Sequence, residues 1–317
     1  MPFSRFLIIL SASLALALGA IAVLPMTGIV RPSADVAWTA SLYADKERIA
    51  AAIAGPRVLA VGGSATLFSF DSEMASRRLG RPVVNFGTHA GLGLPYILDR
   101  AGSILRSGDV VLLAPEYELL QRGGEPNEHT LQFVTFYDRG YLRQRSMTEW
   151  PHYIFGYGVL PSLVEGLKQL RAGASHGRAD IVLDRLGNAR GNTVALSKGR
   201  QLAGESPVLP PLPMSRAANE ALRRFADIAA RRHVRILVIP PSLIRTPGYS
   251  DPIYGKFLSG LAKTYSRLGL VMLGDPSQTF LPPGDMYDSV YHANDHGRIR
   301  YTNAILSFIC PALACPK

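Results

Sequence analysis

Arg57-Val58-Leu59-Ala60-Val61-Gly62 (RVLAVG) is an unbroken apolar run that ends in glycine. A strand with one wet face alternates apolar and polar side chains. This run does not alternate, so it reads as a strand covered on both faces. Four more runs of the same kind follow: Pro82–Gly87 (PVVNFG), Asp109–Ala114 (DVVLLA), Val234–Pro240 (VRILVIP) and Leu270–Leu273 (LVML). Between them lie helical patterns. Gly93–Arg106 carries Leu94, Ile97, Leu98, Ile104 and Leu105 near helical spacing, and Ser215–Arg232 places Ala218, Leu222, Phe225, Ile228 and Ala229 on one face behind a capping serine. Tyr254–Leu268 repeats the pattern, and Gly297–Ile309 closes the chain as a last helix. Strands alternating with helices predict an α/β fold, a three-layer parallel sheet.

The rhythm breaks at residues 121–214, which hold Phe133, Phe136, Tyr137, Trp150, Tyr153, Phe155 and Tyr157 and leave through a proline-rich exit, Pro207 to Pro213. This reads as an insertion after the third strand, over the edge where open α/β sheets hold ligands. Its aromatics read as core before they read as sugar platforms. Leu163 to Leu170 is one amphipathic piece of helical spacing.

Upstream, residues 55–317 form the main domain, 31–54 a linker and leading helix, and 1–30 a signal anchor or signal peptide. Phe6 to Val30 is apolar apart from Ser11, Ser13, Thr27 and small residues, and Arg5 and Arg31 flank it. About 20 apolar residues suffice to cross a bilayer. The main domain is therefore expected across a membrane, tethered by a single span, or secreted if cleaved after Ala17 or Ala22. The two cysteines, Cys310 and Cys315, lie near the C-terminus, where a disulfide would suit an oxidising compartment. Two ligands make a poor zinc site, so no metal is expected, and no cofactor.

The net charge is +10, with 34 Lys+Arg against 24 Asp+Glu, but the arginines are spread along the chain. The densest group, Arg231, Arg232 and Arg235, flanks a helix–strand junction. No nucleic-acid motif accompanies it. An acidic polysaccharide or anionic lipid suits the surplus better. No protein partner is indicated.

Two segments carry chemistry. Ser64 follows the first strand in Val61-Gly62-Gly63-Ser64-Ala65, where glycine allows a tight backbone and an exposed hydroxyl. Thr66 stands where a nucleophile elbow has its last glycine, which disfavours that fold. Far downstream, Asp288-Ser289-Val290-Tyr291-His292 precedes Asn294, Asp295 and Gly297. A histidine can take a serine proton, and a carboxylate can hold its tautomer. Asn294 or Asp295 reads as the cap of the last helix.

Together these segments resemble the SGNH (GDSL-like) hydrolase superfamily, whose sheet is flavodoxin-like, and in particular its branch in bacterial envelope polysaccharide O-acetylation and deacetylation. The likeness spans roughly residues 57–117 and 215–309. Gly62-Gly63-Ser64 looks like the first block, Val84-Asn85-Phe86-Gly87-Thr88-His89-Ala90-Gly91 the second, and Asp288 to His292 the last. The resemblance implies Ser64 as nucleophile, His292 as base, Asp288 as its orienter, and the N–H groups of Ser64 and Gly91 as oxyanion donors, with Gly87 competing with Gly91. It implies a carbohydrate esterase or O-acyltransferase, and with the apolar span it implies a bacterial inner-membrane protein with its main domain in the periplasm. Four departures stand out. The second block is one residue longer than the family's. Gly63 replaces an aspartate. Ala114-Pro115-Glu116 lacks the third-block asparagine. Three residues separate Asp288 from His292 where two are usual. The missing asparagine supports the alternative of a non-catalytic binding or scaffold protein on the same fold.

Overall fold

The five apolar runs form one parallel sheet. A computed structural model of the chain describes residues 3–122, 124–173, 178, 180–202 and 211–315. In it β1 (Val58–Gly62), β2 (Val83–Asn85), β3 (Val110–Ala114), β4 (Arg235–Val238) and β5 (Val271–Met272) lie in the order β2-β1-β3-β4-β5. Val58 stands beside Val83 on one side and Val110 on the other. Every residue of β1, β2 and β3 is buried, which is why none of them alternates in sequence. Val271 on the edge strand β5 is exposed.

Along the chain run α1 (Phe3–Val23), α2 (Ala34–Ala52), α3 (Ser64–Ser69), α4 (Ser72–Leu79), α5 (Gly93–Ile104), α6 (Glu128–Tyr137), α7 (Trp150–Phe155), α8 (Val159–Ala172), α9 (Arg216–Arg231), α10 (Pro252–Arg267) and α11 (Asp295–Leu313). From β1 the chain crosses outward to β2, then back to β3 and onward. Right-handed crossovers therefore put α3 and α4 on one face and α5 and α9 on the other. Accordingly α9 packs on α5, and α11 packs on α3 and α4. Ser215 caps α9 by accepting the Ala218 N–H; of the predicted face, Ala218, Leu222, Phe225 and Ala229 are buried and Ile228 is half-buried. Asn294 caps α11 through the Gly297 N–H at 3.0 Å, while Asp295, in its first turn, accepts the Val194 N–H at 2.9 Å. The direction of strand order reverses between β1 and β3. Ligands in doubly wound sheets bind at the carboxyl ends of the strands that flank such a reversal.

The chain divides into two compact units, residues 1–41 with 126–179, and residues 42–125 with 180–317. Residues 121–214 thus do not form one body, because the described residues of 121–125 and 180–214 belong with the sheet. Of the proline-rich exit, residues 207–210 lie outside the described residues. In the first unit the expected aromatics pack on one another: Phe136 lies edge-on to Tyr157 at 5.6 Å, and the Phe133 and Tyr137 rings are 5.9 Å apart. The same unit contains α1. Phe3–Met26 is 24 residues, apolar and unburied. At about 1.5 Å per residue it is long enough for the ~30 Å hydrocarbon core of a bilayer. In the second unit Cys310 and Cys315 are joined by a disulfide.

Candidate active site

Ser64 is the first residue of α3, two positions beyond the end of β1, and Glu116 stands two positions beyond the end of β3. The pair therefore flanks the reversal of strand order. The chains come close there: a Cβ on Gly62 would lie 2.5 Å from Ala114 O. Glu116 is buried. Its carboxylate accepts the Ala65 N–H at 2.7 Å on Oε1 and the Gly63 N–H at 3.0 Å on Oε2. The Ser64 hydroxyl donates to Oε1 at 3.5 Å, a long bond. Burial raises the Glu116 carboxyl above its usual range, and the backbone N–H groups of Ala65 and Gly63 pull it back down. A Cβ at position 63 would lie 2.5 Å from both carboxylate oxygens. Gly63 and the Glu116 side chain thus compete for one space. Glycine at position 63 leaves the space that the Glu116 carboxylate, carried in from the end of β3, occupies.

The histidine lies on a loop that leads into α11. His292 Nδ1 is 2.6 Å from Asp288 Oδ1. The three-residue spacing therefore still closes the pair. With Nδ1–H directed at the carboxylate, Nε2 is the acceptor nitrogen. The imidazole stacks on Phe68, with ring centroids 4.4 Å apart and planes tilted by 30°. Phe68 is one helical turn after Ser64, so the two project from one face of α3. The backbone on both sides of His292 is fastened to the same helix: the Ala293 N–H donates to Ser69 Oγ at 3.0 Å, and Ser69 Oγ donates to Tyr291 O at 3.2 Å. Ser242 adds a bond to Tyr291 O at 2.7 Å. Beneath this, the buried Arg298 donates to Phe68 O at 3.1 Å, and Asn192 donates to Ala293 O at 2.6 Å.

The structure thus brings Asp288 to His292, and His292 to the face of α3 that starts at Ser64. The hydrogen bond of the Ser64 hydroxyl runs to Glu116, not to His292. The Gly91 N–H donates to His89 Nδ1 at 3.0 Å within the turn Ala90–Leu92. Gly87 has a packing reason of its own, since a Cβ there would come within 2.7 Å of Thr66 Cβ. Its N–H donates to Asn85 Oδ1 at 3.0 Å, and Asn85 Nδ2 in turn donates to Thr66 O at 2.8 Å and Phe70 O at 3.1 Å. Asn85 and Gly87 therefore seat α3 against the end of β2. The bonded Cys310 and Cys315 offer no thiolate to a metal.

Sequence reasoning missed Glu116, Phe68 and Ser69. It registered Ala114-Pro115-Glu116 as a missing amide and did not place the acid. The signal was a carboxylate just past a buried strand, opposite a double glycine. No family model matches the chain, and no curated protein matches it.

Proposed function

We propose that the chain is a serine-dependent esterase or O-acyltransferase that acts on an envelope carbohydrate, on an SGNH-like plan. The observation that carries this reading is the Asp288-bound imidazole of His292, stacked on Phe68 one turn from Ser64 at the reversal of strand order. Ser64 Oγ attacks the acyl carbonyl, His292 Nε2 takes the hydroxyl proton, and Asp288 steadies the imidazolium. His292 then gives that proton to the alcohol that departs as the donor ester bond breaks, leaving the acyl group on Ser64. Water or a sugar hydroxyl attacks that acyl group, His292 takes its proton and returns it to Ser64 Oγ, and the free enzyme is restored. The Ser64 N–H is the oxyanion donor this reading keeps. Gly91 contributes only by exchanging its bond to His89. The +10 charge suits an acidic polysaccharide, and the apolar α1 suits an anchor with the catalytic unit on the periplasmic side.

One observation favours a second reading, a non-catalytic binding or scaffold protein. The Ser64 hydroxyl and both flanking N–H groups are engaged by Glu116. One assay separates the two readings: full-length protein in detergent, given an acetyl ester with water or an oligosaccharide as acceptor, beside Ser64→Ala. The catalytic reading requires turnover that Ser64→Ala abolishes. Equal rates from both proteins would overturn Ser64 as nucleophile.

A further inference from the structure

Helix α8 is amphipathic the wrong way round for a helix that packs into a protein core. It buries Ser162 and Gly166, and it exposes Leu160, Val164, Leu167 and Leu170, with Leu160 69% and Leu170 78% accessible. At 100° per residue these four side chains form one stripe; the exposed Lys168, 3.8 Å from Glu165, borders it, and Arg171 ends it at the C-terminal turn. An apolar stripe of this kind calls for a cover.

The position of α8 within its own unit says what covers it. The Tyr157 hydroxyl, two residues before α8, donates to Ile21 O at 3.2 Å, in the last turn of α1. The Arg31 N–H donates to Ser162 O at 2.9 Å. Gly166 lies so close to Ile29 O that a Cβ there would collide with it. Arg31 is five residues beyond Met26, and five residues reach at most about 18 Å. The small buried face of α8 is thus clamped to the segment that leaves the span, and its four apolar side chains stay exposed. Met26 and Ile29 of the same segment are exposed as well.

We infer that α8 is an interfacial helix, lying at the membrane surface beside α1 with Leu160, Val164, Leu167 and Leu170 in the acyl boundary and Lys168 and Arg171 among anionic headgroups. Tyrosine at the end of a span and a leucine stripe edged by cations are the features that such helices use. The inference rests on the reading that α1 spans a bilayer.

The test uses the full chain reconstituted in vesicles of phosphatidylcholine with phosphatidylglycerol. Cys310 and Cys315 are bonded to each other, so single introduced cysteines can carry a nitroxide. Labels go at Leu14→Cys in α1, at each of Leu160→Cys, Val164→Cys, Leu167→Cys and Leu170→Cys, and at Arg223→Cys on the exposed face of α9 as a reference. Collision with dissolved oxygen, which concentrates in lipid, is compared with collision with a water-soluble nickel complex. The expected result is that the Leu14 label and the four α8 labels are shielded from nickel several-fold relative to Arg223 and remain open to oxygen, with the α8 labels shallower than Leu14. A Leu14 label in lipid with α8 labels as open to nickel as Arg223 overturns the interfacial helix and leaves the span standing. So does shielding of the α8 labels from both reagents, which would mean protein cover such as a second copy. A Leu14 label open to nickel overturns the span and the inference together.

Discussion

Glu116 and Asp288 are both carboxylates one contact away from a candidate catalytic side chain, yet the protein uses them differently. Glu116 is buried and held by the N–H groups of Gly63 and Ala65, with the Ser64 hydroxyl at the end of a long third bond. Asp288 is partly exposed, and its short contact is with an imidazole. The first fixes the backbone on which Ser64 sits. The second fixes the direction of a proton acceptor. A carboxylate near a serine is therefore no evidence by itself of a base, because burial and backbone partners decide which task it performs.

That contrast can be broken from either side. On the Asp288 side, His292→Ala is expected to lower kcat for acetyl-ester hydrolysis by about 10²–10⁴ with the fold intact, as loss of a general base does. Unchanged turnover would move the role of base to Glu116 and erase the distinction. On the Glu116 side, Gly63→Ala drives a methyl group into the carboxylate and is expected to cost about 1–3 kcal/mol of stability, measured by urea unfolding. Combining it with Glu116→Ala should restore part of that loss, and strict additivity would show that the two residues do not share the space.

A pH series sharpens the point. Burial holds the Glu116 carboxyl above the value of 4.5 it has when solvated. Between that value and its folded pKa, the folded state binds a proton that the unfolded chain has lost. Its stability contribution is therefore full below 4.5 and is lost as pH rises through the folded pKa. Glu116→Gln should remove that part of the slope, and an unchanged urea midpoint profile would contradict the burial argument. The smallest expected effect is that of Ser69→Ala, which frees the backbone around His292. It should cost about 1 kcal/mol and lower kcat more than it raises KM. A change in KM alone would mean that Ser69 does not position the histidine.

The frame of the fold was legible because burial on both faces writes continuous apolar runs. RVLAVG and DVVLLA became the central strands β1 and β3 with at most one residue trimmed at either end. Asp288 and His292 were legible as a pair because they lie four apart on one loop. Their seat on α3 was not, because the Ser69 bonds join residues more than 220 positions apart, and nothing local in SATLFS marks Ser69 as an anchor. Glu116 escaped for a related reason. Its partners are backbone N–H groups, which leave no trace in side-chain identity except the glycine that makes room for it. The division of 121–214 between two units was hidden too, since the segment's aromatics announce a core but not which part of the chain shares it.

The most direct test of the central claim is to trap the acyl-enzyme. Full-length protein is mixed with an activated acetyl ester, quenched in acid within the first turnover, digested and read by mass spectrometry. The account predicts one acetyl group on the peptide containing Ser64, absent in Ser64→Ala and strongly reduced in His292→Ala. Turnover with Ser64 unmodified at every time point, or undiminished in Ser64→Ala, would contradict it.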